Sequence, residues 1–401
     1  MNIQELIKQP EGPTLELRKD IPTRQEIAKI VCAFSNLSGG ELIIGFDSRA
    51  NEIIGVDKKS LFEVQSELKT IISTAVEPLP AFFIKTLNHE DKKLINVTIL
   101  PGNLKPYILK GLDKLKGTYV RIGKHNQLAT PAIIAELERS SASVSFDSTP
   151  AYDTDIDDLN KKLIEEYSDK KEMLTGASKS LINYAFLEKN QLIYREGSKV
   201  YPTVAAILLF SDKVNNYFQK AKIRCKVYEY EDRSKLVDIK TFSGTLIKQY
   251  SNVINYFNDV DFSADVLKEL VLNAVLHRDY SNFQDTISIS VFSDRMEIVS
   301  PGFLPVGLTL DDINNGVSLY RNPIIYRIFN EMGFGYQNGS GLQNVNKNLM
   351  ENNLKSLVFD SSYNNFIVHA YNEPSEDYFT REDLKVIEYL EKNEFINNNK
   401  C

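Results

Sequence analysis

The sequence predicts an α/β chain (α+β) built from two domains, and three observations carry that reading. A helix-period apolar pattern over residues 24–36 runs into Gly39–Gly40 and the apolar segment ELIIGF, as expected for a helix laid on a buried strand. Residues 141–158, SASVSFDSTPAYDTDIDD, are rich in Ser, Asp and Pro and divide the chain. Beyond them, ELVLNAVLHRDY at 269–280 is helical by its apolar spacing. Two glycine-rich loops follow it, SPGFLP at 300–305 and GFGYQNGSGL at 333–342.

Each element follows from its residues. In the first helix Ile27, Ile30, Val31 and Phe34 fall on one face, and Asn36 ends it. Gly39 and Gly40 meet a need for φ > 0 and close packing before the strand GGELIIGF. ANEIIGV gives a second strand after a turn at Asp47–Asn51, and a helix covers about 58–76. INVTIL at 95–100 and GTYVRIG at 117–123 read as strands, and 130–140 as a short helix. A helical stretch spans 155–188. YPTVAAILLF at 201–210 reads as a buried strand that opens the second half. In the helix ending at Tyr280, Leu267, Leu270, Val271, Ala274 and Val275 form the apolar stripe. The expected boundaries are 1–145, a linker and helical connector over 146–198, a domain over 199–372, and a tail over 373–401. No internal repeat is evident.

Composition sets the outer bounds. With 401 residues, 42% hydrophobic and 25% charged, the chain is long enough for two or three cores. No apolar run approaches the roughly 18 residues of a membrane span, and the opening MNIQELIKQPEG is not a signal peptide. Cys32, Cys225 and Cys401 lie too far apart, from one another and from the four histidines, for a zinc or disulfide framework. These features fit a cytoplasmic protein, with no membrane partner. A net charge of −7 argues against broad electrostatic binding of nucleic acid while allowing a local basic face.

Several side chains are placed for chemistry. Glu269, Asn273 and His277 lie four residues apart and share one helix face. Arg278 follows at the helix end, where a cation also favours the dipole. Tyr119 and Arg121 alternate along one strand and share its face, with Lys124, His125 and Asn126 just beyond, a set suited to phosphate contact and base stacking. Two motifs fail. HRD at 277–279 lacks the asparagine of a kinase loop, since Gln284 stands there. GFGYQN at 333–338 has Asn338 where a dinucleotide loop needs its third glycine.

EGPTLELRKD at 11–20, VCAFSNLSGGELIIGFD at 31–47, PYILK at 106–110 and GTYVRIGKHNQLAT at 117–130 together resemble the Schlafen AlbA-like domain. Glu16-Leu17-Arg18 stands for that family's E-F-K-like triplet, and Ser35 replaces its usual Ala. The resemblance implies a nucleic-acid partner, DNA or RNA, met by Arg18, Tyr119, Arg121 and Lys124. In some Schlafen proteins carboxylates matching Glu11, Glu16 and Asp47 bind a divalent metal, Mg²⁺ or Mn²⁺, and cut RNA. Such a metal would activate water and offset charge on the phosphate. The same three residues also admit a structural role: Glu16 paired with Arg18 or a neighbouring strand, Glu11 solvated, Asp47 capping its turn.

The segment from about Tyr201 to Tyr371, with its helix and two glycine loops, resembles the divergent GHKL-like ATPase domain of bacterial transcriptional regulators. The resemblance implies an α/β sandwich and ATP as cofactor. Asn273 would ligate Mg²⁺, and Glu269 would orient water. His277, Arg278, Gly302, Gly339 and Gly341 would line the nucleotide, with GSGL at 339–342 as the second glycine box. Ser300-Pro301-Gly302 stands where the family has its adenine-reading D-x-G-x-G. In such regulators a winged helix-turn-helix follows. Here a helix over about 380–393, with Thr380 as N-cap and Asp383 as capping-box acid, precedes the asparagine-rich NEFINNNKC. The sequence therefore gives an incomplete helix-turn-helix remnant, either truncated or lost. The leading expectation is a nucleic-acid-binding regulator with an ATP-binding module, with a homo-oligomer among its allowed states. The alternatives are a metal-dependent endoribonuclease, or a weak ATPase, and a non-catalytic interaction scaffold.

Overall fold

The computed structural model describes residues 11–56, 61–176, 181–258, 262–302, 304–305, 308, 312–313, 315, 317, 319–334, 341–361 and 365–374. The expected helix-turn-helix remnant, from residue 375 onward, lies outside them. The chain is mixed α/β and divides into two units, residues 1–149 with 304–321 and residues 150–303 with 322–401.

The first unit is built on a four-stranded sheet in the order β1 (Leu15–Arg18), β2 (Gly40–Ile44), β4 (Lys92–Ile99), β3 (Phe82–His89). β1 and β2 run parallel, with Glu16 beside Leu42; the other pairs are antiparallel. Helix α1 (Arg24–Asn36) starts at a capping box between Thr23 and Glu26. Its Ile27, Ile30, Val31 and Phe34 join α2 (Leu61–Ala75) in a core against Leu42, Ile44, Ile95, Val97 and Ile99. Ile43, between Leu42 and Ile44, points to the opposite face and packs with Leu15, Leu17, Phe46 and Leu94. That alternation is the period-two signature of a strand buried on both faces. Gly39 has φ +78°, and a Cβ on Gly40 would lie 2.6 Å from the Phe34 ring; the two glycines thus serve different needs. A hairpin of β5 (Tyr119–Ile122) and β6 (His125–Leu128) packs on α1, and α3 (Pro131–Ser141) follows, N-capped by Thr130.

The second unit begins with α4 (Lys161–Thr175), capped by Asn160 and stopped by Gly176 at φ +68°. The expected helical stretch is therefore two helices, the second at Tyr184–Lys189. The expected strand at 201–210 is a correction: strand ends at Pro202 and residues 204–210 form α5 (Val204–Phe210), N-capped by Thr203. Every residue of α5 is buried, so its apolar run carries no period to tell helix from strand. The six-stranded sheet has the order β8 (Leu236–Phe242), β7 (Ile223–Tyr228), β9 (Ile287–Val291), β10 (Arg295–Pro301), β12 (Asn365–Tyr371), β11 (Val358–Ser361). β7 and β9 are parallel and the other neighbours antiparallel. The β8–β9 crossover carries α6 (Leu246–Tyr256) and α7 (Ala264–His277). α7 packs against β10, α6 and α9 (Gly341–Glu351), while α8 (Pro323–Glu331) packs against α4 and α5. Among the described residues no helix is long and apolar enough to cross a membrane.

Candidate functional site

α7 is held in place at its end and along its buried side. Arg278 leaves the helix at φ −55°, ψ 138°, which strands the last carbonyls. The Asn322 side-chain amide donates to two of them, Leu276 at 2.9 Å and Arg278 at 2.8 Å. From the sheet, Ser300 Oγ donates to the Ala274 carbonyl at 3.0 Å. Ser300, expected from the sequence in place of an adenine-reading carboxylate, is buried and spends its hydroxyl on the helix.

Within this frame Glu269, Asn273 and Gly341 come together. Asn273 Nδ2 donates to Glu269 Oε1 at 2.7 Å and to the Glu269 carbonyl at 2.8 Å. A Cβ on Gly341 would fall 1.7 Å from that same Oε1, so α9 starts directly on the carboxyl group. Burial pushes the Glu269 carboxyl up, against the opposing Asn273 hydrogen bond. Glu269 also lines a cleft of about 400 Å³ with Tyr250, Asn255, Lys268 and Phe334. The Tyr250 hydroxyl there is pushed up to about 12 by burial and by the Glu269 charge.

The other expected pocket residues are placed differently. Arg278 is buried, and its Nη2 donates to the carbonyls of Lys220, Asn282 and Asp285 at 3.1, 3.2 and 2.8 Å. Its guanidinium lies 4.9 Å from the centre of the Tyr280 ring, so it ties down the 278–285 loop where a phosphate contact was expected. His277 is the half-buried last residue of α7. Gly302 is buried at φ +115° just past β10, two residues beyond the Ser300 contact with α7. Gly339 lies outside the described residues.

In the first unit the three carboxylates are not gathered. Among the described residues no group of three His, Cys, Asp or Glu is placed to hold a metal ion. Glu16 is buried between Arg121, which its Oε2 contacts, and Arg18 at 2.5 Å. Glu11 Oε1 accepts the Leu17 N–H at 2.9 Å. Asp47 accepts the N–H groups of Arg49 and Ala50 at 3.1 and 3.2 Å and pairs with Lys19 at 3.1 Å. Lys19 holds its carboxyl below the usual range, with the Ala50 N–H adding to it. Each of the three carboxylates has a nitrogen partner, and they do not come together as one donor set for a metal.

Arg121, expected as a nucleic-acid contact, is 2% exposed. It donates to the carbonyls of Gly12 and Leu15 at 2.7 and 2.8 Å and to Asn126 Oδ1 at 3.2 Å, over the Phe34 ring. Tyr119 is half-buried beneath Lys29 Nζ, 5.3 Å from its ring centre. Arg18 is 41% exposed, and Lys124 lies in the exposed β5–β6 turn.

These placements can be set beside known proteins. Residues 11–130 match the Schlafen, AlbA_2 family. Residues 284–369 match the HATPase_c_4 family, described as putative ATP-dependent DNA helicase recG C-terminal. The chain therefore joins a Schlafen AlbA-like domain to an ATPase-like one. No curated protein matches it. Among solved structures, the DIP2311 protein from Corynebacterium diphtheriae is 14% identical with a TM-score of 0.46, over 93% of this chain and 69% of that one. The N-terminal domain of a putative ATP-dependent DNA helicase RecG-related protein from Nitrosomonas europaea is 20% identical with a TM-score of 0.25, over 32% of this chain and 94% of that one. The HATPase_c_4 match begins after α7, so Glu269 and Asn273 lie just before it.

Two residues of this arrangement escape a reading of the sequence. In the Schlafen AlbA-like domain Asn36 does more than end α1: its side chain bonds the Tyr107 N–H and carbonyl at 2.7 and 2.8 Å and the Tyr119 carbonyl at 2.9 Å. Asn322 does the same service for α7. The signal for both is an asparagine beside a strongly apolar helix, which needs buried partners.

Proposed function

We propose that this chain is a cytoplasmic nucleic-acid-binding regulator whose ATPase-like domain takes a nucleotide beside Glu269 and Asn273. The observation that supports it is the meeting of Glu269, Asn273 and Gly341 at the start of α9. A helix N-terminus favours negative charge, and the glycine leaves the backbone bare. Asn273 donates through Nδ2 to Glu269, and none of the described hydrogen bonds uses its Oδ1, a hard oxygen suited to Mg²⁺. The residues present therefore fit a magnesium nucleotide, with Asn273 holding the ion and Glu269 orienting water. When bound, the ion would offset charge on the phosphates.

On the Schlafen AlbA-like domain, Arg18, Tyr119 and Lys124 would meet nucleic acid, with buried Arg121 supporting the strand beneath them. Fluorescence anisotropy with labelled DNA and RNA tests this, with and without ATP and Mg²⁺. Binding is expected to weaken with salt, and Lys124→Ala is expected to reduce the salt slope by about 1. No binding to either nucleic acid at low salt would remove the reading.

A further inference from the structure

β8 is the end strand of the six-stranded sheet, with β7 on one side only. Six of its seven residues are exposed, and Leu236, Val237 and Ile239 are 47%, 59% and 51% exposed. An open, apolar edge without proline or glycine is a template for another strand. Its backbone direction is fixed by one hydrogen bond. The Ile239 N–H donates to Asp238 Oδ1 at 2.8 Å, and Ile239 stands opposite Lys226 of β7. Ile239 therefore turns its main-chain groups to the open side, and by alternation so does Thr241.

The charges on this edge suit one occupant. We propose that β8 pairs antiparallel with β8 of a second copy of this chain, about a two-fold axis at Ile239. That axis sets Asp238 opposite Lys240 of the second copy, and Lys240 opposite its Asp238. Ile239 faces itself as a hydrogen-bonded pair, and the bulge at Val237, which has no β7 partner, ends the regular ladder on that side. Two opposite-charge pairs thus form across the axis, where most exposed edges use like charges to repel. Tyr256 orders both side chains in advance: its hydroxyl donates to Asp238 Oδ2 at 2.7 Å, and Lys240 Nζ sits 5.4 Å from its ring centre. On pairing, the Ile239 N–H passes to a carbonyl of the second copy and Asp238 Oδ1 is released to Lys240. Seven residues a side fall short of the roughly 800 Å² per partner of a standard interface, so the dimer depends on concentration.

Sedimentation velocity of the full chain over a concentration series tests the proposal, with disulfide trapping in a Cys401→Ser background. Facing Ile239 residues would stand roughly 5.5 Å apart at Cα, within disulfide reach. Ile239→Cys is expected to cross-link into dimers and Val237→Cys is not. Asp238→Lys and Lys240→Asp each create two like-charge pairs and are expected to weaken the dimer about tenfold. The double swap is expected to restore it. All four positions are exposed, and circular dichroism confirms that each variant folds. A monomer at every concentration, equal cross-linking at 237 and 239, or a dimer indifferent to both single reversals would overturn the proposal.

Discussion

Gly341 stands so close to Glu269 that a Cβ on it would lie 1.7 Å from Oε1 and 2.3 Å from Cδ. A side chain at 341 would have to displace the Glu269 carboxyl, and the approach joins the start of α9 to the middle of α7. Asn273, one turn on from Glu269, holds the carboxyl in that position.

Gly341→Ala is expected to push the Glu269 carboxyl aside and break its 2.7 Å bond with Asn273. Crowding of this kind costs about 1–3 kcal/mol, read from urea unfolding. Glu269→Ala in the same chain removes the obstructing group, so the double variant is expected to lose less than the sum of the singles. Strictly additive losses would show that the two residues do not press on one another.

Burial raises the Glu269 carboxyl above its ordinary value of 4.5, while Asn273 opposes the shift. A carboxyl raised on folding holds its proton more tightly in the folded chain. Its contribution to stability is full below the unfolded value and is lost as pH rises through the folded one. Glu269→Gln, neutral throughout, is expected to match the wild type near pH 4 and to exceed its melting temperature at pH 8. A constant gap across that range would mean that Glu269 does not titrate differently on folding.

Arg121 and Glu16 form a buried pair with both side chains at 4% exposure or less. Arg121→Ala strips Glu16 of its buried partner and leaves only the partly exposed Arg18 beside it, so it is expected to cost up to about 3–5 kcal/mol. Exposed Lys124→Ala is expected to stay within about 0.5 kcal/mol. Chemical denaturation of the two variants decides the matter. An Arg121→Ala chain of wild-type stability that no longer binds nucleic acid would make Arg121 a contact residue after all.

What the sequence makes legible is local. The period of α1, its end at Asn36 and the buried strand after Gly39–Gly40 are all written within a few residues, and the structure follows them. So is the spacing of Glu269 and Asn273, which one helical turn brings into contact. β3 is less legible, because an edge strand such as FFIKTLNH buries little and its alternation is weak. α5 is illegible for the opposite reason, since burial on all sides erases the period. Glu16 could be recognised as an acid with Arg18 beside it. Its second partner, Arg121, lies 105 positions away, and only the packing of β5 over β1 and α1 decides that the arginine turns inward. The contact of Gly341 with Glu269 is likewise a product of tertiary packing.

The nucleotide site proposed beside Glu269 and Asn273 is tested most directly by the melting temperature with ATP and Mg²⁺, wild type against Asn273→Ala. A ligand that binds only the folded chain stabilises it by about 2.7 kcal/mol at a hundred times its Kd. The wild type is expected to show a rise that grows with ATP concentration, and GTP to act nearly as well because Ser300 offers no adenine-reading carboxylate. Alanine is well tolerated within a helix, so Asn273→Ala is expected to fold and to lose the rise. No shift with any nucleotide up to about millimolar concentration, or an equal shift in Asn273→Ala, would contradict it.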